Sequence, residues 1–173
     1  MAYLVIAYPD LSSHHFTQLQ SYRQQNDDLF TIIEPHFTFV FPVNDIYKAD
    51  FVNEIKAKSK AFKKIDFAIR CATVHKDSFS EHFYTFLVPD EGYSSMVKLH
   101  DKLYSGNLKD NLRLDIAFVP HIRIASTLDK NLCKQMVNGW NNTDFLISGT
   151  ISKLTIVKFE NNVVWNIDEV GLE

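Results

Sequence analysis

The chain has 173 residues, a formal net charge of −3 and 46% hydrophobic residues, which is the composition of an ordinary globular protein. Its 14 phenylalanines and 7 tyrosines argue against a disordered chain, and the weak negative charge argues against bulk attachment to duplex DNA. The two cysteines form no CxxC pair, the N-terminus lacks a signal-peptide pattern, and no run approaches the ~20 apolar residues of a membrane span. We therefore expect a cytoplasmic protein, without membrane attachment, that forms a single domain over residues 1–173.

Apolar periodicity predicts alternating strands and helices in the first half of the chain. Ser12 or Ser13 can cap the first helix, and Pro42 is expected to end the second strand. In chain order we predict a strand at 3–8, a helix at 12–25, a strand at 33–41, a helix at 49–62, and strands at 64–74 and 81–88.

The second half predicts a similar order of elements. A turn at 89–92 leads into a helix with apolar residues at i, i+3 and i+7, namely Met96, Leu99 and Leu103. A strand at 121–125, a helix from about 127–130 to 139, and a tail of two strands at 145–159 and 163–167 follow. Each half thus contains a strand that opens with Pro-His, followed by a helix and two long strands.

The two Pro-His strands carry the candidate chemistry. Side chains alternate along a strand, so His36 and Thr38 share one face of the first, and His121 and Arg123 share one face of the second. An imidazole can donate or accept a proton near neutrality, and hydroxyl and guanidinium groups bind phosphoryl oxygens. If the two strands face each other, they would surround a phosphate ester with an acid–base pair, and no metal or other cofactor is required.

The histidines also allow structural interpretations. The two Pro-His histidines could instead be half-buried residues bonded to the backbone. His15 also stands two residues before a threonine, but it lies in the predicted first helix, where it is best interpreted as surface. His75, His82 and His100 lack the spacing of a zinc site, and no phosphate loop of the G-x-x-x-x-G-K type is present.

The segments PHFTFVFP and FVPHIRIA resemble the paired H-x-[ST]-h motifs (HxT motifs) of the 2H phosphoesterase superfamily, which includes 2′-5′ RNA ligase-like and cyclic phosphodiesterase proteins. The stretch HFYTFLVPDEGYSSMVKLHDKLYSG between them is also similar to that family. The resemblance implies an α+β, bilobal fold. It consists of two pseudo-symmetric, intertwined lobes of antiparallel sheet with outer helices around a central cleft.

The same resemblance implies a hydrolase that opens a 2′,3′-cyclic phosphate on a nucleotide or RNA end to a 2′-phosphate, without metal. In the family the first histidine is usually the acid to the 3′ oxygen and the second the base to water; the resemblance implies these roles for His36 and His121, while the sequence itself fits either order. The expected partner is a nucleotide or RNA end bearing a cyclic phosphate, with the protein acting as a monomer. Phe41 and Tyr84 are candidates for stacking on a base.

The second motif departs from the family at Arg123, where threonine or serine is usual. Arg123 could contact the substrate phosphate and favour a more highly charged substrate, or it could be turned away in a salt bridge to an acid such as Asp115. The second option would suit a non-catalytic module that binds RNA or a nucleotide. A phosphodiesterase for a non-RNA cyclic phosphate or a 2′-5′ linkage is a further alternative.

Overall fold

The computed structural model describes all residues from Met1 to Glu173 and contains two antiparallel sheets and four α-helices. The strands are β1 Ala2–Ala7, β2 Asp10–Leu11, β3 Phe37–Val43, β4 Ile65–Lys76, β5 Phe83–Glu91, β6 Ile122–Thr127, β7 Ile147–Ile151, β8 Lys153–Glu160 and β9 Val163–Gly171. The helices are α1 Ser13–Asn26, α2 Lys48–Ser59, α3 Tyr93–Leu103 and α4 Lys130–Asn141, with a short 3₁₀ helix at Gly106–Asn111. None of these helices has the length and apolar character needed to cross a lipid bilayer.

Strand order confirms the expected α+β architecture. The first sheet has the order β3-β1-β8-β9, the second has the order β2-β7-β4-β5-β6, and every strand pair is antiparallel. Helices α2 and α3 pack near the first sheet, and α1 and α4 pack on the second. Strands β3 and β6 are edge strands of their sheets, and a Pro-His pair immediately precedes each of them.

The core is continuous across both sheets, with 29 buried residues in one cluster. Leu19 of α1 and Phe51 and Ile55 of α2 are fully buried and attach these helices to the core. The predicted i, i+3, i+7 face of α3 is also completely buried, and consists of Met96, Leu99 and Leu103. Ser12 caps α1 by accepting a hydrogen bond from the backbone N–H of His15.

Strand β3 differs from its prediction at both ends. It begins at Phe37, one residue after the histidine, and Pro42 lies inside it rather than ending it. Proline removes one ladder hydrogen bond, which an edge strand tolerates because one of its sides is unpaired. The register between β1 and β3 shifts in this region, and Pro42 is exposed.

The predicted strand at 145–159 is wrong, because the structure divides it at Ser152. Strand β7 pairs with β4 in the second sheet, whereas β8 pairs with β1 in the first, so the chain passes from one sheet to the other at this residue. The hairpin between β8 and β9 is as predicted. Asn161 and Asn162 form its turn with φ of 52° and 59°, the left-handed values that a two-residue hairpin favours.

The predicted turn at 89–92 is also wrong. Strand β5 continues to Glu91, and only Gly92 leaves the extended conformation, with φ of +81°, to begin α3. A Cβ atom at this position would lie 2.5 Å from the Asp66 carbonyl oxygen, so both the backbone angle and the space require glycine here.

Candidate active site

A cavity of about 620 Å³ lies between the two sheets at the start of β3 and β6. All six residues singled out from the sequence line it: His36, Thr38, Phe41, Tyr84, His121 and Arg123. Both sheets contribute to its wall, since Leu4 and Phe159 come from the first and Phe86 comes from the second. The fold therefore brings the two Pro-His segments to one shared space.

The two histidines have the same local geometry. Nδ1 of His36 donates to the carbonyl oxygen of Glu34 at 2.8 Å, and Nδ1 of His121 donates to the carbonyl oxygen of Val119 at 2.6 Å. A carbonyl oxygen only accepts, so these bonds assign the proton of each neutral ring to Nδ1. Nε2 of each ring is then the nitrogen that can accept a proton in the cavity.

Burial sets the charge state of both rings. The pKa of His36 is lowered from 6.5 to about 4: burial is the largest cause and the charges of Arg23 and Arg123 act in the same direction, whereas the hydrogen bond to Glu34 and the charge of Asp27 raise it. The pKa of His121 is lowered to about 3, mainly by burial and to a smaller extent by positive charge on His36, while the hydrogen bond to Val119 raises it. Both imidazoles are therefore neutral at neutral pH in the free protein, and a bound anion would favour protonation of one of them.

Thr38 follows His36 by two residues and is half-buried at the cavity wall, opposite Ile6 of β1. Its hydroxyl group makes no hydrogen bond within the protein, which leaves it able to bond a ligand in the cavity. The flanking residues Phe37 and Phe39 are 1% exposed and point into the core, so the alternation of β3 fixes the direction of Thr38.

Arg123 is held by two adjacent carboxylates. Its Nε and Nη2 atoms donate to Oδ1 of Asp27 at 3.0 and 2.7 Å, and Nη2 also donates to Oδ1 of Asp28. The guanidinium carbon lies 4.5 Å from the ring centre of Tyr84. The suggested pairing with Asp115 is wrong, because the carboxylate of that residue binds Arg113.

Asp27 belongs to a buried ion network that reaches the segment before His36. Arg23, 1% exposed, donates through Nε to Asp27 at 2.8 Å and through Nη2 to the carbonyl oxygen of Ile33 at 2.8 Å. The arginine charges and the hydrogen bonds to Asp27 lower the pKa of its carboxyl, although burial acts in the opposite direction. The network thus connects α1, the segment 27–36 and strand β6.

Aromatic rings form one wall of the cavity. The Phe86 ring stacks on His121 with centroids 3.5 Å apart and on His75 with centroids 4.6 Å apart. The Tyr84 ring is nearly parallel to Phe86 at 6.0 Å, and Arg123 lies over Tyr84. Phe41 lines the cavity too, but its ring also makes edge contacts with neighbouring aromatic residues.

Comparison with known proteins identifies the family. The model of the 2′-5′ RNA ligase superfamily matches residues 9–163. The chain belongs to this superfamily. Among curated sequences, a Bacillus licheniformis protein named "Putative phosphoesterase" is 24% identical over 171 residues, which cover 98% of this chain and 96% of that protein.

Solved structures of similar proteins agree with the 2′-5′ RNA ligase superfamily fold. A protein of Thermus thermophilus superposes with a TM-score of 0.66 at 10% identity, covering 99% of this chain and 98% of the other. E. coli LigT in its apo form gives a TM-score of 0.59 at 13% identity, covering 99% and 96%. Another structure of LigT contains 3′-AMP and gives a TM-score of 0.58 at 12% identity, covering 99% and 98%.

The sequence patterns do not reveal the two aspartates that bind Arg123 or the place of His75 in the cavity wall. Asp27 and Asp28 were not singled out, because their partner Arg123 is 96 and 95 residues away in the chain. His75 was considered only as a metal ligand, whereas the structure gives it a place on the aromatic wall. A signal was present for the aspartates, since a half-buried arginine on a strand requires a counter-charge from elsewhere in the fold.

Proposed function

We propose that this protein is a metal-independent phosphoesterase that opens the 2′,3′-cyclic phosphate of a nucleotide or RNA end to a 2′-phosphate. The observation that carries the proposal is the pair of imidazoles, His36 and His121, that line one cavity with the same backbone-bound Nδ1. Membership of the 2′-5′ RNA ligase superfamily and the similarity to proteins named as phosphoesterases support it. The complex of LigT with 3′-AMP supports a nucleotide as the ligand class.

In the proposed reaction one imidazole is neutral and the other is protonated. Nε2 of His121 accepts a proton from water as the water oxygen bonds to phosphorus. The bond from phosphorus to the 3′ oxygen breaks, and the His36 imidazolium donates its Nε2 proton to that oxygen. The products are a 2′-phosphate and a 3′ hydroxyl, and proton exchange with solvent restores the starting charges. Exchanging the two roles fits the same geometry.

Two side chains are proposed to bind the phosphoryl oxygens. The Thr38 hydroxyl can donate one hydrogen bond, and Nη1 of Arg123, which makes no hydrogen bond within the protein, can donate another. Charge that develops on the pentavalent phosphorus group would be stabilised by these donors within a partly buried cavity. Tyr84 and Phe41 remain candidates for contact with the base.

A non-catalytic module that binds RNA or a nucleotide is the second candidate. The pairing of Arg123 with both Asp27 and Asp28 favours it, since these carboxylates neutralise the positive charge that a phosphate would otherwise meet. A phosphodiesterase for a non-RNA cyclic phosphate or a 2′-5′ linkage would use the same histidines, so only the choice of substrate distinguishes it.

Hydrolysis of adenosine 2′,3′-cyclic phosphate in the presence of EDTA tests the proposal. Chromatography should detect the 2′-monophosphate as the product. His36→Ala and His121→Ala should each lower the rate by about 10²–10⁴-fold, the usual share of acid–base catalysis. His15→Ala is the matched control, because His15 also stands two residues before a threonine but lies on helix α1 outside the cavity, and the variant should retain full activity. Full activity in both cavity variants would refute the catalytic pair, and binding without hydrolysis of any cyclic phosphate would favour the second candidate.

A further inference from the structure

We infer that Asp28 competes with the anionic group of the ligand for Arg123, and so sets the affinity of the cavity for phosphate. The inference rests on the proposed function for the identity of that anion, a phosphate. It assigns different roles to two neighbouring aspartates: Asp27 is the permanent partner of Arg123, and Asp28 is the partner that a phosphate displaces.

The contacts of the guanidinium group show where the competition occurs. Asp27 takes the edge formed by Nε and Nη2, and Asp28 takes a second hydrogen bond from Nη2. The other edge of the guanidinium consists of Nη1 and Nη2. A phosphate needs both of these nitrogens for bidentate binding, which is the strong mode of arginine–phosphate contact. While Asp28 occupies Nη2, only Nη1 is available to the ligand.

The two aspartates differ in what their release would cost. The Asp27 side chain is 1% exposed and also binds Arg23 and the backbone N–H of Leu29, so its removal would leave a buried arginine without its counter-charge. The Asp28 side chain is 61% exposed and binds only Arg123. Once displaced, the carboxylate of Asp28 enters water at little cost.

The position of Arg123 makes the exchange relevant to the ligand. Its side chain lines the same cavity as the two histidines, it follows His121 by two residues on β6, and it is 16% exposed. A phosphate between the imidazoles therefore lies in the space that Arg123 borders. Asp28 already places one carboxylate oxygen at Nη2, where a phosphoryl oxygen would bind.

The magnitude follows from the strength of an exposed ion pair. In the closed state Asp28 is bound to Arg123, and in the open state it is released into water. An exposed ion pair favours the closed state over the open state by a ratio of about 1.4 to 5. Because a ligand that needs the open state binds in proportion to its population, Asp28 should weaken phosphate binding about two- to sixfold. Removing the charge of Asp28 should therefore strengthen phosphate binding by the same factor.

Calorimetric titration with adenosine 2′-monophosphate at neutral pH and about 0.15 M salt tests the inference, with inorganic phosphate as a second probe. Asp28→Asn should lower the dissociation constant about two- to sixfold. Glu34→Gln is the matched control, since it removes the same charge from an exposed side chain of the same segment that forms no ion pair, and it keeps the backbone carbonyl that holds His36. It should change the dissociation constant by less than about 1.5-fold, because screened long-range charge alone has a small effect. In an Arg123→Gln background the Asp28→Asn change should give no gain.

The inference is overturned if Asp28→Asn leaves binding unchanged or weaker, or if Glu34→Gln gives an equal gain. It is also overturned if no variant binds either probe. Should Arg123→Gln fail to fold, the comparison of Asp28→Asn with Glu34→Gln still decides. The proposed function fails separately: tighter binding by Asp28→Asn without hydrolysis of any cyclic phosphate would support the competition and refute the esterase. Hydrolysis by the native protein, together with no gain in phosphate affinity in Asp28→Asn, would support the esterase and refute the competition.

Discussion

Lowering the pH from 7 to 5 should raise kcat/KM for a 2′,3′-cyclic phosphate steeply. Catalysis by the pair requires one protonated imidazole, and burial disfavours that charge in the free protein, with pKa values of about 4 for His36 and about 3 for His121. Since both values lie below the ordinary 6.5, the singly protonated pair becomes more populated as the pH falls toward 4. At pH 7 it amounts to about one molecule in 10³, and at pH 5 to about one in ten, so kcat/KM should rise about 100-fold.

The pH dependence of kcat should lie at higher pH than that of kcat/KM. The first reports the enzyme–substrate complex, in which the negative phosphate raises the pKa of the neighbouring imidazole, whereas the second reports the free enzyme. The fitted values belong to the pair, because the charge of His36 contributes to the pKa of His121.

Initial rates measured from pH 4.5 to 8 at constant ionic strength would provide both profiles. Circular dichroism at each pH serves as the control for folding. A kcat/KM that stays level or increases between pH 5 and 7 would contradict the assignment of two neutral rings in the free protein.

Two stability predictions follow from the backbone and the buried ion network. Asp27→Asn should lower the free energy of unfolding by about 3 kcal/mol in urea denaturation, because Arg23 is 1% exposed and loses its counter-charge; an unchanged urea midpoint would contradict the network. Gly92→Ala should lower the melting temperature, since its φ of +81° is unfavourable for alanine and the new Cβ would lie 2.5 Å from the Asp66 carbonyl oxygen. Gly139→Ala is the comparison, because apart from its chain neighbours and the backbone of helix α4 no atom lies within 4 Å of its Cβ position, and it should stabilise by about 0.5–1 kcal/mol. Equal melting shifts for the two glycine variants would refute the argument from φ.

Local patterns in the sequence were enough to predict most helices and strands. Helix α3 follows from the spacing of Met96, Leu99 and Leu103, and the turn at Asn161 and Asn162 follows from its residue types. The apolar alternation of each Pro-His segment predicts which of its residues share a face, whereas the meeting of the two segments at one cavity was implied by the resemblance to the 2H phosphoesterase superfamily.

The predictions that were wrong depend on contacts between residues that lie far apart in the sequence. Nothing near Ser152 indicates that β7 and β8 belong to different sheets, because both are apolar strands and only their distant partners distinguish them. Pro42 ends a strand in most contexts, and its place inside β3 depends on the edge position that the topology gives to that strand. The partners of Arg123 depend on how α1 packs on β6, which no spacing within either segment encodes.

The central position of β1 has a consequence for synthesis of the chain. One edge of β1 pairs with β3 and the other pairs with β8. Val5 therefore lacks its partner, Ile156, until most of the chain has been synthesised. At a ribosomal rate of about 5–20 residues per second, this apolar edge remains without its partner for roughly 7–30 s. We therefore expect this edge to stay open to pairing with other chains until β8 has been synthesised, and removal of β8 to expose the same edge in the released protein.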